Sequence, residues 1–167
     1  MINFNNVMLM KFGTHGNASP HQIILDKARD LLASGVFFWG YGGSTCHPEN
    51  QIQPFLNQAA KYGDNVYLVL SPISSVWDGN ISQCTFFSRN CEDWSRLPDG
   101  VTVSGSKYAV ICDEITICEE VIDLSNYEVS VGPHAGHPVS SYLRGRITKV
   151  CASRSMHAPV SANKFLR

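Results

Sequence analysis

The chain is short of charge. Lys, Arg, Asp and Glu together make up 16% of its 167 residues and nearly cancel, leaving a formal net charge of −1. A protein that neutralises many phosphates needs a basic excess, because counterion release drives its binding to a polyanion. No Lys/Arg run is present, and only the stretch from Arg144 to Arg167 is enriched in basic residues. Nucleic acid is therefore disfavoured as a partner, with a local patch left open. Long apolar runs are missing too. No window stays apolar for ~20 residues, the length that crosses a bilayer, so no membrane partner is expected. The N-terminus, Met1-Ile2-Asn3-Phe4-Asn5-Asn6, has neither the basic start nor the apolar stretch of a secretory signal. A cytoplasmic location is the expectation. With it go free thiols rather than disulfides at Cys46, Cys84, Cys91, Cys112, Cys118 and Cys151. Structural zinc calls for cysteine pairs two to four residues apart, twice over. Cys46-His47, His134 with His137, and Cys112 with Cys118 do not make that pattern. No metal and no other cofactor is expected.

What remains is a moderately apolar chain, 44% hydrophobic, read as one domain over 1–167 with enough length to bury a core. The low charge fraction also points to surface covered by a second copy, a homo-oligomer. Asn6 to Phe12 has the apolar centre Val7-Met8-Leu9-Met10 and the length of a strand. Gly13-Thr14-His15-Gly16-Asn17 ends it. Ser19, Pro20 and Gln22 then stand where an N-cap, a first helical residue and a capping-box partner belong. Ile24, Ala28, Leu31 and Leu32 recur at helical spacing as an expected buried face, and Gly35 supplies a left-handed stop. Val36 to Tyr41 is a second strand. A second helix is expected over about Gln53 to Tyr62, with Pro54 in its first turn, Phe55, Leu56, Ala59 and Ala60 inward, and Gly63 at its end. The run Val66-Tyr67-Leu68-Val69-Leu70 reads as a strand buried on both faces.

The first 71 residues thus read β-α-β-α-β, which implies parallel pairing. The second half is β-rich, with an Asp78-Gly79 hairpin turn after Trp77, a return strand at Cys84-Thr85-Phe86-Phe87, and strand-like pieces over 101–103, 107–118, 121–124, 127–131 and 147–151. The expected class is α+β: a mixed, partly closed β-sheet or barrel with two flanking helices.

Two glycine-rich turns are the candidate site. Gly13-Thr14-His15-Gly16 and Gly42-Gly43-Ser44-Thr45 each follow a strand and precede a helix. If the first two strands are parallel neighbours, both turns lie at one sheet edge, where open α/β sheets bind ligands. Glycines let backbone N–H groups approach an anion, and a helix N-terminus adds positive potential. Thr14, Ser44 and Thr45 add hydroxyls; His15 and His47 add imidazoles. Neither turn matches a P-loop or a G-x-G-x-x-G fingerprint, and glycines also serve plain tight turns. Phe37, Trp39 and Tyr41 share one strand face. Trp39, Tyr41 and, near the hairpin, Trp77 are the rings that would stack on a base, the other reading being core.

The stretch from Val36 to Phe87 resembles PUA-like domains of the EVE and YTH kind. A strand bearing Trp39 and a helix precede the strand Val66-Tyr67-Leu68-Val69-Leu70-Ser71, and a β-rich remainder follows. The resemblance covers under a third of the chain. It implies a mixed barrel and an aromatic pocket for a modified base, with Trp39 and Trp77 in that pocket.

The expected function is binding, for sensing or sequestration, of a small nucleotide-derived ligand in these turns and rings. The alternatives are a phosphodiester- or glycosidic-bond hydrolase using His15 and His47 as acid and base, and a PUA-like reader of modified bases.

Overall fold

The computed structural model describes residues 4–41, 49–77, 83–84, 86–87, 95–101, 103–104, 108–116, 122–144 and 147–155. In chain order the elements are β1 (Asn6–His15), α1 (Pro20–Ser34), β2 (Phe37–Gly40), α2 (Glu49–Lys61), β3 (Val66–Trp77), β4 (Gln83–Cys84) and β5 (Phe86–Phe87). There follow β6 (Ser95–Arg96), β7 (Val103–Ser104), β8 (Ala109–Cys112), a 3-10 turn (Leu124–Asn126), β9 (Tyr127–Val129), α3 (Val139–Tyr142) and β10 (Lys149–Arg154). The chain is an α+β fold. Its main sheet is mixed, in the order β3-β1-β10-β9, and does not close into a barrel. No helix among the described residues is long and apolar enough to cross a membrane.

The helix ends form as their residues dictate. The Ser19 side chain accepts from the Gln22 amide, Pro20 opens α1, and Gly35 closes it at φ 74°. After α2, the Gly63 amide donates to Ala60 O and the Asp64 amide to Ala59 O, the paired bonds of a Schellman motif, with Gly63 at φ 71°. Two details depart from the expected pattern. Leu32 is 88% exposed. Ile24, Lys27, Ala28 and Leu31 fill the inward arc, and Leu32 falls beyond it at ~100° per residue. Pro54 is interior to α2, because the helix starts at Glu49. Its missing N–H leaves the Asn50 carbonyl without a helical donor. Ala60 is exposed; Ile52, Phe55 and Ala59 form the buried face instead.

β1 is the centre of the sheet. It pairs parallel with β3 and antiparallel with β10, and β10 pairs antiparallel with β9. Phe12 opposes Pro72 and Thr14 opposes Val76, so β3 carries two extra residues at that point. Proline cannot donate to the ladder, and a bulge is where a strand tolerates it. Alternation puts Met8 and Phe12 of β1, with Cys151 of β10, on one face, and Val7, Leu9, Val150 and Ala152 on the other.

Both faces are covered. Tyr127, Val129 and Val139 pack on the second face, and the Tyr127 hydroxyl donates to Phe4 O at 2.7 Å. The first face is covered by α1, α2 and the antiparallel ribbon β2-β8. The ribbon is itself apolar on both sides. Phe37, Trp39 and Tyr41 face the main sheet, while Phe38 packs with Leu97, Val103 and Ala109.

This layering corrects one expectation. β1 and β2 are not parallel neighbours: β1 sits between β3 and β10, and β2 pairs with β8. A strand with rings on both faces buries them by lying between two layers, which an edge position in the main sheet would not allow. The strand-like reading of 121–124 also gives way from Ile122 onward, because the Asp123 carboxylate accepts from the Ser125 amide and hydroxyl and starts a 3-10 turn. The same bonds hold the Asp123 carboxyl below the usual range. The Asp78-Gly79 turn lies outside the described residues.

Candidate functional site

The first glycine turn closes on itself. The His15 amide donates to Ala18 O at 2.9 Å and the Ala18 amide to His15 O at 3.0 Å, with Gly16 at φ 57° between them. Gly16 therefore serves turn geometry. Two of the N–H groups that an anion cradle would use are already bonded within the turn, and the Gln22 amide is held by Ser19. Gly13 lies at the bulge, and beyond it His15 is the register partner of Trp77. The structure thus brings Thr14, His15 and the backbone of Trp77 to one end of the β1-β3 pair.

The second turn, Gly42, Gly43, Ser44 and Thr45 with His47, lies outside the described residues. The two rings leading into it are core. Trp39 is 5% exposed and Tyr41 fully buried. The Trp39 indole N–H donates to Met10 Sδ at 2.9 Å, and the ring meets Phe12 edge-on at a centroid distance of 5.5 Å. The Tyr41 hydroxyl lies 3.8 Å from Cys151 Sγ, and its carbonyl accepts from Lys149 Nζ at 2.9 Å. Neither ring offers a face to a ligand.

Of the remaining chemistry-bearing residues, Cys112 is free, and its thiol is pushed up to about 12, first by burial and then by Asp113, with Lys27 opposing. It is a poor nucleophile. His134 and His137 sit at a centroid distance of 5.5 Å in an exposed loop, His134 also beside Tyr142. Among the described residues no three His, Cys, Asp or Glu converge as a metal site.

A cleft of about 390 Å³ lies at the opposite end of β1. Its wall is α2, through Gln51, Phe55 and Gln58, with Tyr62 and Asp64 just past the helix; its floor is Asn6, Ser130 and Ser153. Strand pairing builds the floor. Asn6 and Ser153 are direct partners across β1 and β10, and the Ser130 amide is tied to Cys151 O. Ser130 Oγ and Ser153 Oγ are 2.7 Å apart, and Ser153 Oγ donates to Asn6 Oδ1 at 2.9 Å. The helix wall is set by the Schellman turn, which directs the chain from α2 through Asp64 into β3. At ~3.3 Å per residue, the length of β1 puts this floor about 30 Å from His15.

The chemistry of the lining is specific. Side-chain amides and hydroxyls share it with the apolar Pro54, Phe55, Ala59 and Val131; Asp64 is the one charged group, and no cation, histidine or cysteine is present among the described residues that line it. Tyr62, 70% exposed, stands at the rim. Such a site offers hydrogen bonds and a ring, and neither an imidazole for proton transfer nor an activated nucleophile. These residues carry no motif in the sequence. The one local sign is a small polar residue next to the apolar Val7, Val129 with Val131, and Ala152, at Asn6, Ser130 and Ser153 respectively.

No family model, curated protein or solved structure matches this chain.

Proposed function

We propose that the protein is a non-catalytic binding protein for a small, uncharged, ring-bearing molecule of nucleoside size, held in the cleft under α2. The observation that carries this reading is the lining itself: a pre-formed floor of Asn6, Ser130 and Ser153 in a cleft that Gln51 and Gln58 also line. The cleft volume falls in the range of small-molecule sites, roughly 300–1,000 Å³. Among the described residues a phosphate finds no cationic partner there, and Asp64 opposes an anion. The ligand class expected from the sequence is therefore kept in its nucleoside part and moved from the glycine turns to this cleft. In this reading the protein works in the cytoplasm. A PUA-like mode of base reading draws less support, since Trp39 is occupied with Met10 and Phe12.

Calorimetry against nucleosides and against mono-, cyclic and dinucleotides tests the proposal. Nucleosides are expected to bind, and Gln58→Ala to weaken them about fivefold, the worth of one net hydrogen bond of ~1 kcal/mol. Silence from folded protein across the whole panel would refute the reading. Tighter binding of the phosphorylated members would return the site to the glycine turns.

A further inference from the structure

The polar floor of the cleft has a fixed direction. Ser153 Oγ donates its hydrogen to Asn6 Oδ1 at 2.9 Å. A hydroxyl carries one hydrogen, so the 2.7 Å contact between Ser130 Oγ and Ser153 Oγ must run from Ser130 to Ser153. The hydrogen of Ser130 is then used as well. The two ends of this relay differ in what they still offer. Asn6 Nδ2 keeps two N–H donors, and Ser130 Oγ keeps only lone pairs. Neither group has another side-chain hydrogen bond among the described residues. All three residues are half-buried, so a ligand group that displaces water from them must replace its hydrogen bonds.

A group lying on this floor meets a donor at one end and an acceptor at the other. We infer that the floor reads an amide-like edge, an acceptor and a donor on adjacent atoms of a ring system, such as the lactam, imide or amidine edge of a nucleobase; this rests on the cleft being the binding site. The ring carbonyl or bare ring nitrogen accepts from Asn6 Nδ2, and the neighbouring N–H donates to Ser130 Oγ. A carboxylate or phosphate, which only accepts, leaves Ser130 unsatisfied. An ammonium, which only donates, leaves Asn6 unsatisfied. Asp64 adds a second acceptor for a further N–H or hydroxyl. Gln51 and Gln58 can turn either way and add affinity without discrimination.

Calorimetry with uridine against N3-methyluridine, and adenosine against N6,N6-dimethyladenosine, tests the inference on the unmodified full chain. Each methylated partner lacks the edge donor but keeps its acceptors. At least one parent nucleoside is expected to bind roughly tenfold or more tighter than its methylated form, the range for leaving a buried acceptor unpaired. Ser153→Ala supplies the readout that steric rejection would not move. It frees the Ser130 hydrogen, so Ser130 can then donate to an acceptor-only edge, and the preference for the parent nucleoside should shrink several-fold. Asn6→Asp keeps the acceptor for Ser153 but removes both donors, and should weaken the parent tenfold or more. Equal affinity of parent and methylated nucleosides would overturn the inference while leaving the binding site standing. Absence of binding by every nucleoside would overturn both.

Discussion

Replacing Trp39 by alanine distinguishes a core ring from a pocket wall. The ring is 5% exposed, meets Phe12 edge-on at 5.5 Å and donates to Met10 Sδ at 2.9 Å. Removing a buried indole costs about 3–5 kcal/mol, because apolar burial is lost and the cavity closes only in part. That is a large share of the ~5–15 kcal/mol that holds a domain folded. In urea, with a slope of about 2 kcal/mol per M, a 4 kcal/mol loss moves the midpoint down by about 2 M. Far-UV circular dichroism follows the transition without depending on tryptophan emission. Trp39→Phe keeps a ring against Phe12 but gives up the N–H and the second ring, and should lose less, about 1–2 kcal/mol. A coupling of about 0.5–1.5 kcal/mol between Trp39→Leu and Phe12→Leu, each of which removes a ring, would measure the edge-on pair itself. A ligand wall would behave differently: the free protein would keep its stability and only binding would suffer. A loss below about 1 kcal/mol for Trp39→Ala would therefore refute the core assignment.

The alkaline limb of stability should report Cys112. Its folded thiol titrates near 12 against an ordinary 9.0, so above 9 the unfolded chain gives up a proton that the folded chain keeps. Stability then falls as pH rises from about 9 toward 12, and Cys112→Ala should flatten that limb in denaturation series across this window; an unchanged limb would contradict the burial of the thiol. Ser19→Ala should cost about 1 kcal/mol through loss of the α1 cap, read as a shift in urea midpoint at constant slope, whereas Ser19→Asp, which preserves the acceptor, should stay close to the parent protein.

What could be read from the residues alone was whatever short-range chemistry decides. Ser19, Pro20 and Gly35 bound α1, and Gly63 closes α2, because capping uses groups within a few residues. The apolar run of β1 marks a strand covered on both faces, whereas that of β3 overstates its burial: β3 is the edge of the main sheet, and Val66 to Leu70 are only half-buried. The partner of β2 was not legible. A β-α-β pattern favours parallel neighbours, but Phe37, Trp39 and Tyr41 on one side and Phe38 on the other require two covering layers, and only the assembled core supplies them. Leu32 and Pro54 were misplaced by a fraction of a helical turn and by the position of one helix start. The cleft was invisible for another reason. Asn6, Gln58, Ser130 and Ser153 are ordinary polar residues drawn from four distant segments, and their meeting is a product of strand register rather than of any local pattern.

The place of β10 in the sheet also orders events in time. β1 meets β3 after some sixty intervening positions, but Asn6 waits for Ser153. Pairings this remote close slowly and late. A nascent chain can lay β3 beside β1 and cap both long helices while the last strand is still unmade. β9, whose partner in the sheet is β10, must wait with it. The floor of the cleft therefore cannot form before the last strand, and a chain shortened ahead of β10 would lack Ser153 and with it the relay to Asn6.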